Sequence, residues 1–250
     1  MSDNLYIVNR ERGFGPEALP IWTDKPGTIN PFEERGENAV TRVELPEVPG
    51  AFQLLNVLSD TEADNIVKLA EQLGFHQDSP VSLPHSVRHN QNANWVVSEE
   101  IDRVFWERSK HLLTEEVNGQ KATGINARFR FYRHDEGDYF KPHSDGAWPG
   151  SRVVNGKLAD DVYPGQLSQD TYLNFLNDGY EGGRTQFMVS KSNPSEPAKR
   201  EDDVNLVEVR TTKGDVLVFP HGHHPLHCLH SSEQITSGEK YIIRSDVLFG

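Results

Sequence analysis

Apolar positions along the chain follow two successive periods. Residues 51–58, AFQLLNVL, form a short apolar run that predicts a buried strand. Ser59 then reads as a helix N-cap, with Glu62 three residues on as its capping-box partner. Ile66, Leu69, Ala70 and Leu73 recur at helical spacing, and Gly74 supplies a stop. A second helix is predicted over 98–113. Its apolar face is Ile101, Val104, Phe105 and Leu112, with Trp106 beside them.

From about residue 125 the period becomes two. NARFRFYRH puts Phe129 and Phe131 on one face and Arg128, Arg130 and Tyr132 on the other. TYLNFLND, VNLVEVRT, GDVLVFP and KYIIRSDVLF read as further strands. Polar stretches near 146–168 and 190–203 are long for loops and read as lids or disordered segments. Residues 1–50, rich in Pro, Gly and Glu, read as an irregular N-terminal extension with an edge strand at most. Two helices followed by many short strands predict one α+β domain over 51–250. Its sandwich or barrel core spans about 125–250, with the helices packed on the sheet.

The chain has 250 residues, enough to bury a substantial core. Acidic residues number 38 against 25 basic, a net charge of −13. That balance suits a phosphate backbone poorly, so no nucleic-acid partner is expected. No apolar run approaches the roughly 20 residues that span a bilayer, so no membrane partner is expected either. MSDNLYIVNRERG lacks the pattern of a secretory signal. One cysteine, Cys228, leaves no internal disulfide and suits a reducing compartment. Together these features predict a cytoplasmic protein. Cys228 reads as a small buried apolar residue. No pattern in the chain sets an oligomeric state.

Histidine changes the picture. There are eleven, and five fall in one ten-residue window: His221, His223, His224, His227 and His230. Separately, His143 and Asp145 stand two apart, which on a strand points both to one side. With one histidine from the later window they can supply two imidazoles and a carboxylate to one face of a metal. Three positions then stay open, which suits Fe(II) oxygenase chemistry. The same His-x-acid spacing recurs at His76/Asp78 and His134/Glu136, so the pair is not distinctive alone. A solvated or hydrogen-bonded loop accounts equally well for the histidine window.

Three linked segments carry a resemblance. RFRFYRHDEGDYFKPHSDG resembles the iron-binding entry strand of the 2-oxoglutarate/Fe(II) dioxygenases, in their prolyl 4-hydroxylase-like branch. TYLNFLNDGYEGGRTQF is similar to that family's hairpin. KGDVLVFPHGHHPLHCLHSSEQITSGEKYIIRSDVLF is similar to its closing segment, in which a histidine precedes a lysine by ten residues. The resemblance covers about residues 50–250.

It implies a double-stranded β-helix (a cupin-like jelly roll) with flanking N-terminal helices. The implied metal ligands are His143, Asp145 and His230, since Lys240 lies ten beyond His230. His227 and His221 are the alternatives. Ser231-Ser232 departs from the Glu-Gly that follows the distal histidine in many relatives. The implied cofactors are Fe(II), 2-oxoglutarate and O2, with ascorbate as a possible support. The implied reaction is hydroxylation of an unactivated C–H bond, with release of succinate and CO2. Lys240 is the implied partner of the far carboxylate of 2-oxoglutarate. Arg244, on the same face, can substitute or pair with Asp246. Tyr132 and Thr185 are further hydroxyl donors.

Alternation alone leaves open whether Lys240, Ile242, Arg244 and Asp246 face inward, or whether Tyr241, Ile243 and Val247 do. Arg88, Asn90, Asn92, Asn94 and Trp95, with Trp148, are candidate lid residues at the pocket mouth. The substrate is a peptidyl proline by analogy, or a small molecule. A metal- or ligand-binding jelly roll without catalysis, and a zinc hydrolase using the same residues, are the competing readings.

Overall fold

A computed structural model describes residues 4–13, 15–34, 39–77 and 86–250. The molecule is mostly β, built on two facing sheets in a jelly-roll-like arrangement. The larger sheet runs in the order Leu5–Arg12, Ala18–Asp24, Gln91–Val96, Arg128–His134, Lys240–Phe249, Leu167–Phe175, Val216–Pro220, Phe52–Leu55, Thr41–Glu44. Its pairings are antiparallel except that of Ala18–Asp24 with Gln91–Val96. The smaller sheet runs Val204–Val209, Thr185–Ser190, His230–Ser232, Tyr139–His143, Arg88–His89.

Helix α1 spans Asp60–Leu73, and its start follows the sequence pattern closely. The Glu62 amide donates to Ser59 Oγ at 3.2 Å, and the Ser59 amide donates to Glu62 Oε2 at 2.8 Å. Gly74 ends the helix at φ 79°, where a side chain would be strained. Helix α2 spans Glu99–Ser109 and stops short of the predicted 113. The chain turns there: Leu112 and Leu113 amides both donate back to the Ser109 carbonyl. Arg108 of α2 holds Glu62 of α1 in a two-pronged contact, at 2.7 and 2.9 Å.

Two apolar clusters divide the interior. One gathers Ala63, Ile66, Ile101 and Phe105 of the helices with Phe129, Phe131, Tyr172 and Ile243 of the large sheet. The other lies between the sheets and contains Tyr132, Leu173, Phe187, Phe219 and Ile242. The predicted alternation of Arg128–His134 therefore separates two buried faces. Among the described residues no helix is long and apolar enough to cross a membrane.

Residues 1–50 depart from the irregular reading. Leu5–Arg12 and Ala18–Asp24 form a hairpin at one end of the large sheet, and Thr41–Glu44 ends the other. Proline is disfavoured inside strands, and Pro20 falls within Ala18–Asp24. It lies just before the Ile21–Thr23 stretch that pairs with Gln91–Val96, so its missing N–H costs no bond there. The 146–168 stretch also carries structure, a hairpin of Arg152–Val154 with Lys157–Ala159. Asn155 and Gly156, at φ 51° and 72°, form its turn. Within 190–203, the Asp203 carboxylate ties down Ser190 and Ser192, at 2.6 and 2.9 Å.

Glu62 joins helix cap and interhelical ion pair, so its loss exceeds that of the cap alone. Ser59→Ala is expected to cost about 1 kcal/mol. Glu62→Ala, which strands Arg108, is expected to cost about 3 kcal/mol. Urea unfolding of both variants measures the difference.

Candidate functional site

A cavity of about 220 Å³ opens between the two sheets. Pairing register builds its centre. Tyr139–His143 and His230–Ser232 are antiparallel neighbours, and His143 lies opposite His230. Their ring centroids are 4.3 Å apart. Asp145 follows two residues after His143, and its carboxylate reaches both rings. Oδ1 is 3.9 Å from His143 Nε2, and Oδ2 is 3.6 Å from His230 Nε2. The three groups present one donor atom each, all within 4.8 Å of one another. That spacing and donor set can hold a divalent ion.

Neighbours fix each group. The second ring nitrogens donate to carbonyls: His143 Nδ1 to Lys141 at 2.8 Å and His230 Nδ1 to Cys228 at 3.2 Å. Nε2 of both rings is left free to bind, as in metal sites generally. Phe140 stacks on His143 at 3.5 Å, and Phe219 packs against His230 at 4.7 Å. Burial lowers the pKa of His143 to about 3 and lowers that of His230, so both rings are neutral at physiological pH. Burial is the largest single influence on the Asp145 carboxyl and raises it, but the Arg244 guanidinium together with the His230, His143 and His221 rings outweighs it and holds the group well below the usual carboxylate range.

His221, an alternative ligand by sequence, does not join the cluster. It is buried and accepts from Ser168 Oγ at Nε2, 2.8 Å away. Its Nδ1 donates to Thr171 Oγ1 at 2.7 Å, and Thr171 in turn donates to Asp145 Oδ2 at 2.9 Å. This chain of bonds aims the carboxylate. Gly222, at φ 59°, lets the 145–148 loop approach; a Cβ there would meet that of Ala147 at 2.7 Å. His223 and His227 are exposed and His224 half-buried. His76 forms an isolated bridge with Asn92, and Asp78 lies outside the described residues. His134 is buried and lines the cavity wall.

Lys240, Tyr132, Arg244 and Thr185 all line the same cavity. Lys240 is 1% exposed, a degree of burial that an ammonium tolerates only with partners. Its Nζ donates to the Gly183 carbonyl at 2.6 Å and lies over the Phe175 and Tyr180 rings. No carboxylate pairs with it among the described residues. Burial, with Arg210 nearby, lowers its pKa to about 7. Arg244 donates to Asp246 at 2.9 Å, the pairing the spacing suggested, and its Nε lies 3.3 Å from Asp145 Oδ2. The alternation question dissolves: Lys240, Ile242 and Arg244 face the cavity, while Ile243 and Val247 fill the helix-side core.

Arg88 and Trp148 line the cavity, as expected of mouth residues. Asn90, Asn92, Asn94 and Trp95 do not. Asn92, Asn94 and Trp95 belong to the Gln91–Val96 strand, and Asn90 precedes it and contacts His134. Trp95 donates to Asp24 at 2.9 Å inside the core. Ser231 and Ser232 continue the strand opposite Gln186 and Thr185, so the departure at these positions keeps the cavity wall intact. Sequence reasoning missed Thr171 and Arg130. Arg130 was legible as a face-mate of Tyr132, two residues away.

No protein-family model matches this chain, and no curated protein matches it. Solved structures do share its fold. A prolyl hydroxylase from Trichoplax adhaerens, in complex with a hypoxia inducible factor oxygen degradation domain peptide fragment, is 14% identical. It aligns with TM-score 0.53 over 79% of this chain and 83% of its own. HygX from Streptomyces hygroscopicus, with nickel and 2-oxoglutarate bound, is 15% identical. It aligns with TM-score 0.50 over 82% of this chain and 84% of its own. At these identities the likeness is one of fold.

Titrating Mn(II) or Zn(II) into metal-free protein is expected to raise its melting temperature. His143→Ala, Asp145→Ala and His230→Ala should each remove that rise. His221→Ala should weaken it without removing it, because His221 acts through Thr171 and not on the ion.

Proposed function

We propose that the protein is a 2-oxoglutarate- and Fe(II)-dependent dioxygenase that hydroxylates an unactivated C–H bond. One observation carries the reading: a single cavity joins the His143–Asp145–His230 cluster to a buried lysine that has no carboxylate partner among the described residues. A dianionic co-substrate with a metal-binding end and a far carboxylate fits both ends. The shared fold supports the same class. So does the donor set, which is two neutral imidazoles and one carboxylate facing the cavity together.

In this reading His143, Asp145 and His230 would hold the iron. Bound there, iron and 2-oxoglutarate supply the oxidation that breaks the C–H bond, yielding succinate and CO2 with O2 as co-substrate. The chain's residues position and insulate. Lys240 binds the far carboxylate, with Thr185 and Tyr132 as hydroxyl partners along the wall. Thr171 and His221 keep Asp145 aimed at the ion. Phe140 and Phe219 fix the two imidazole planes and exclude water beside them. The ten-residue spacing from His230 and the lack of a carboxylate partner among the described residues favour Lys240 over Arg244 as the anchor for the far carboxylate. The prolyl 4-hydroxylase resemblance adds a peptidyl proline or a related small molecule as substrate and ascorbate as a support for turnover. The single cysteine fits a protein working in a reducing compartment such as the cytoplasm.

Succinate formation tests the reading. Protein loaded anaerobically with Fe(II), then given 2-oxoglutarate and O2, should release succinate; His143→Ala and Asp145→Ala should fall to background. Equal succinate from wild type and Asp145→Ala would refute it. Activity with zinc and no 2-oxoglutarate requirement would indicate the hydrolase instead.

The lysine gives a pH signature. Only the ammonium form binds a carboxylate, and burial sets its pKa near 7 in the free protein. Affinity for 2-oxoglutarate should therefore be flat below pH 7 and weaken by up to about tenfold per unit above it. Lys240→Arg should flatten the profile, since guanidinium stays charged. Anaerobic binding titrations across this range measure both.

A further inference from the structure

We infer that the substrate is a small molecule carrying a carboxylate, received by the Arg130–Arg244 pair at the end of the cavity opposite Lys240. The inference rests on the dioxygenase reading above and names the substrate class for that site.

The first observation is a repulsive pair held in place. Arg130 and Arg244 lie directly opposite each other on adjacent strands. Both are buried, at 4% and 8% exposure. Like charges facing across a ladder are destabilising, and burial adds to the cost. Asp246 beneath them accepts from both, at 3.3 and 2.9 Å. Asp145, 3.3 Å from Arg244, is the only other carboxylate at hand among the described residues and is committed to the ion in this reading. One carboxylate thus remains for two guanidinium groups.

A second observation is a buried donor without an acceptor. Trp148 Nε1 is buried and makes no hydrogen bond among the described residues, while Arg244 Nε meets only the Asp145 carboxylate, at 3.3 Å. Both residues line the cavity, and the Arg130 guanidinium sits 5.1 Å from the centre of the Trp148 ring. An acceptor placed in the cavity here would meet the Trp148 donor, whose burial is otherwise uncompensated. A planar carboxylate matches the fork of a guanidinium.

Charge balance points the same way. Arg88, Arg130, Lys240 and Arg244 line the cavity, and Asp145 is the one acidic residue that does so among the described residues. A divalent ion and the 2-oxoglutarate dianion cancel each other. Leaving Arg88 aside, Arg130, Lys240 and Arg244 against Asp145 and Asp246 leave the loaded site with an excess of one positive charge, inside a chain whose net charge is −13. Such a focused positive field draws anions. Position separates the two anions. Lys240 and Arg244 are four residues apart on one strand face, about 13 Å at the usual rise. 2-Oxoglutarate reaches from the ion toward Lys240, which leaves the Arg244 end to the other reactant. A neutral prolyl peptide backbone would leave this pair uncompensated.

The test uses zinc-loaded protein, in which turnover is blocked, and follows binding by calorimetry. 2-Oxoglutarate is titrated first. At its saturation, cyclopentanecarboxylate and the neutral cyclopentanecarboxamide are compared as probes. The inference predicts at least tenfold tighter binding of the carboxylate, and loss of that preference in Arg130→Met. Equal binding of the two probes by wild type overturns it, and this comparison requires no variant to fold. A fall in 2-oxoglutarate affinity in Arg130→Met as large as the fall for the carboxylate also overturns it, by assigning the pair to the co-substrate. Failure of wild type to bind 2-oxoglutarate at all would instead refute the dioxygenase reading on which it rests.

Discussion

The Lys240–Phe249 strand lies inside the large sheet with both faces buried, and that double burial constrains the rest of the molecule. On one face Ile243 and Val247 meet helix residues in an apolar cluster. On the other, Lys240 and Arg244 bring two cations into the seam between the sheets. Cations there are tolerable only with partners. The partners the chain supplies are a carbonyl, aromatic faces and two aspartates, and with Arg130 on the neighbouring strand as a third cation these do not balance the charge. The remaining demand is for ligands. Folding has thus placed electrostatic strain where binding relieves it, a common arrangement at functional sites.

The smaller sheet supplies the complementary half. Its pairing sets His143 against His230, and the loop after His143 turns Asp145 back toward both. The large sheet then orders that loop from below, through Thr171, His221 and Ser168. Cluster and cations therefore belong to different sheets. The cavity chemistry exists only when the sheets pack, so stability and function share the same interface.

Local signals were legible in the sequence where the physics is local. Ser59 and Glu62 announced α1 because a capping box needs only four residues. The two faces of Arg128–His134 followed from alternation. The His143–Asp145 pair showed in spacing, but choosing among five later histidines required either family resemblance or the pairing register itself. Arg130 illustrates the limit. Its significance arises from Arg244, 114 residues away in sequence and opposite in register. The strands of residues 1–50 were hidden by a composition rich in Pro, Gly and Glu, because where Pro20 sits relative to its parallel partner is a tertiary fact. Asn155-Gly156 was the opposite case, a local turn signal hidden inside a stretch dominated by polar residues.

The central claim is that one cavity holds metal and 2-oxoglutarate together, chelated at the cluster and anchored at Lys240. Visible absorption of the anaerobic Fe(II) protein on adding 2-oxoglutarate tests it most directly, since chelation of Fe(II) by a 2-keto acid produces a charge-transfer band. The account predicts a band that saturates at one equivalent, is absent in Asp145→Ala, and needs far higher 2-oxoglutarate in Lys240→Ala. No band in the wild type, or an unchanged titration in Lys240→Ala, would contradict it.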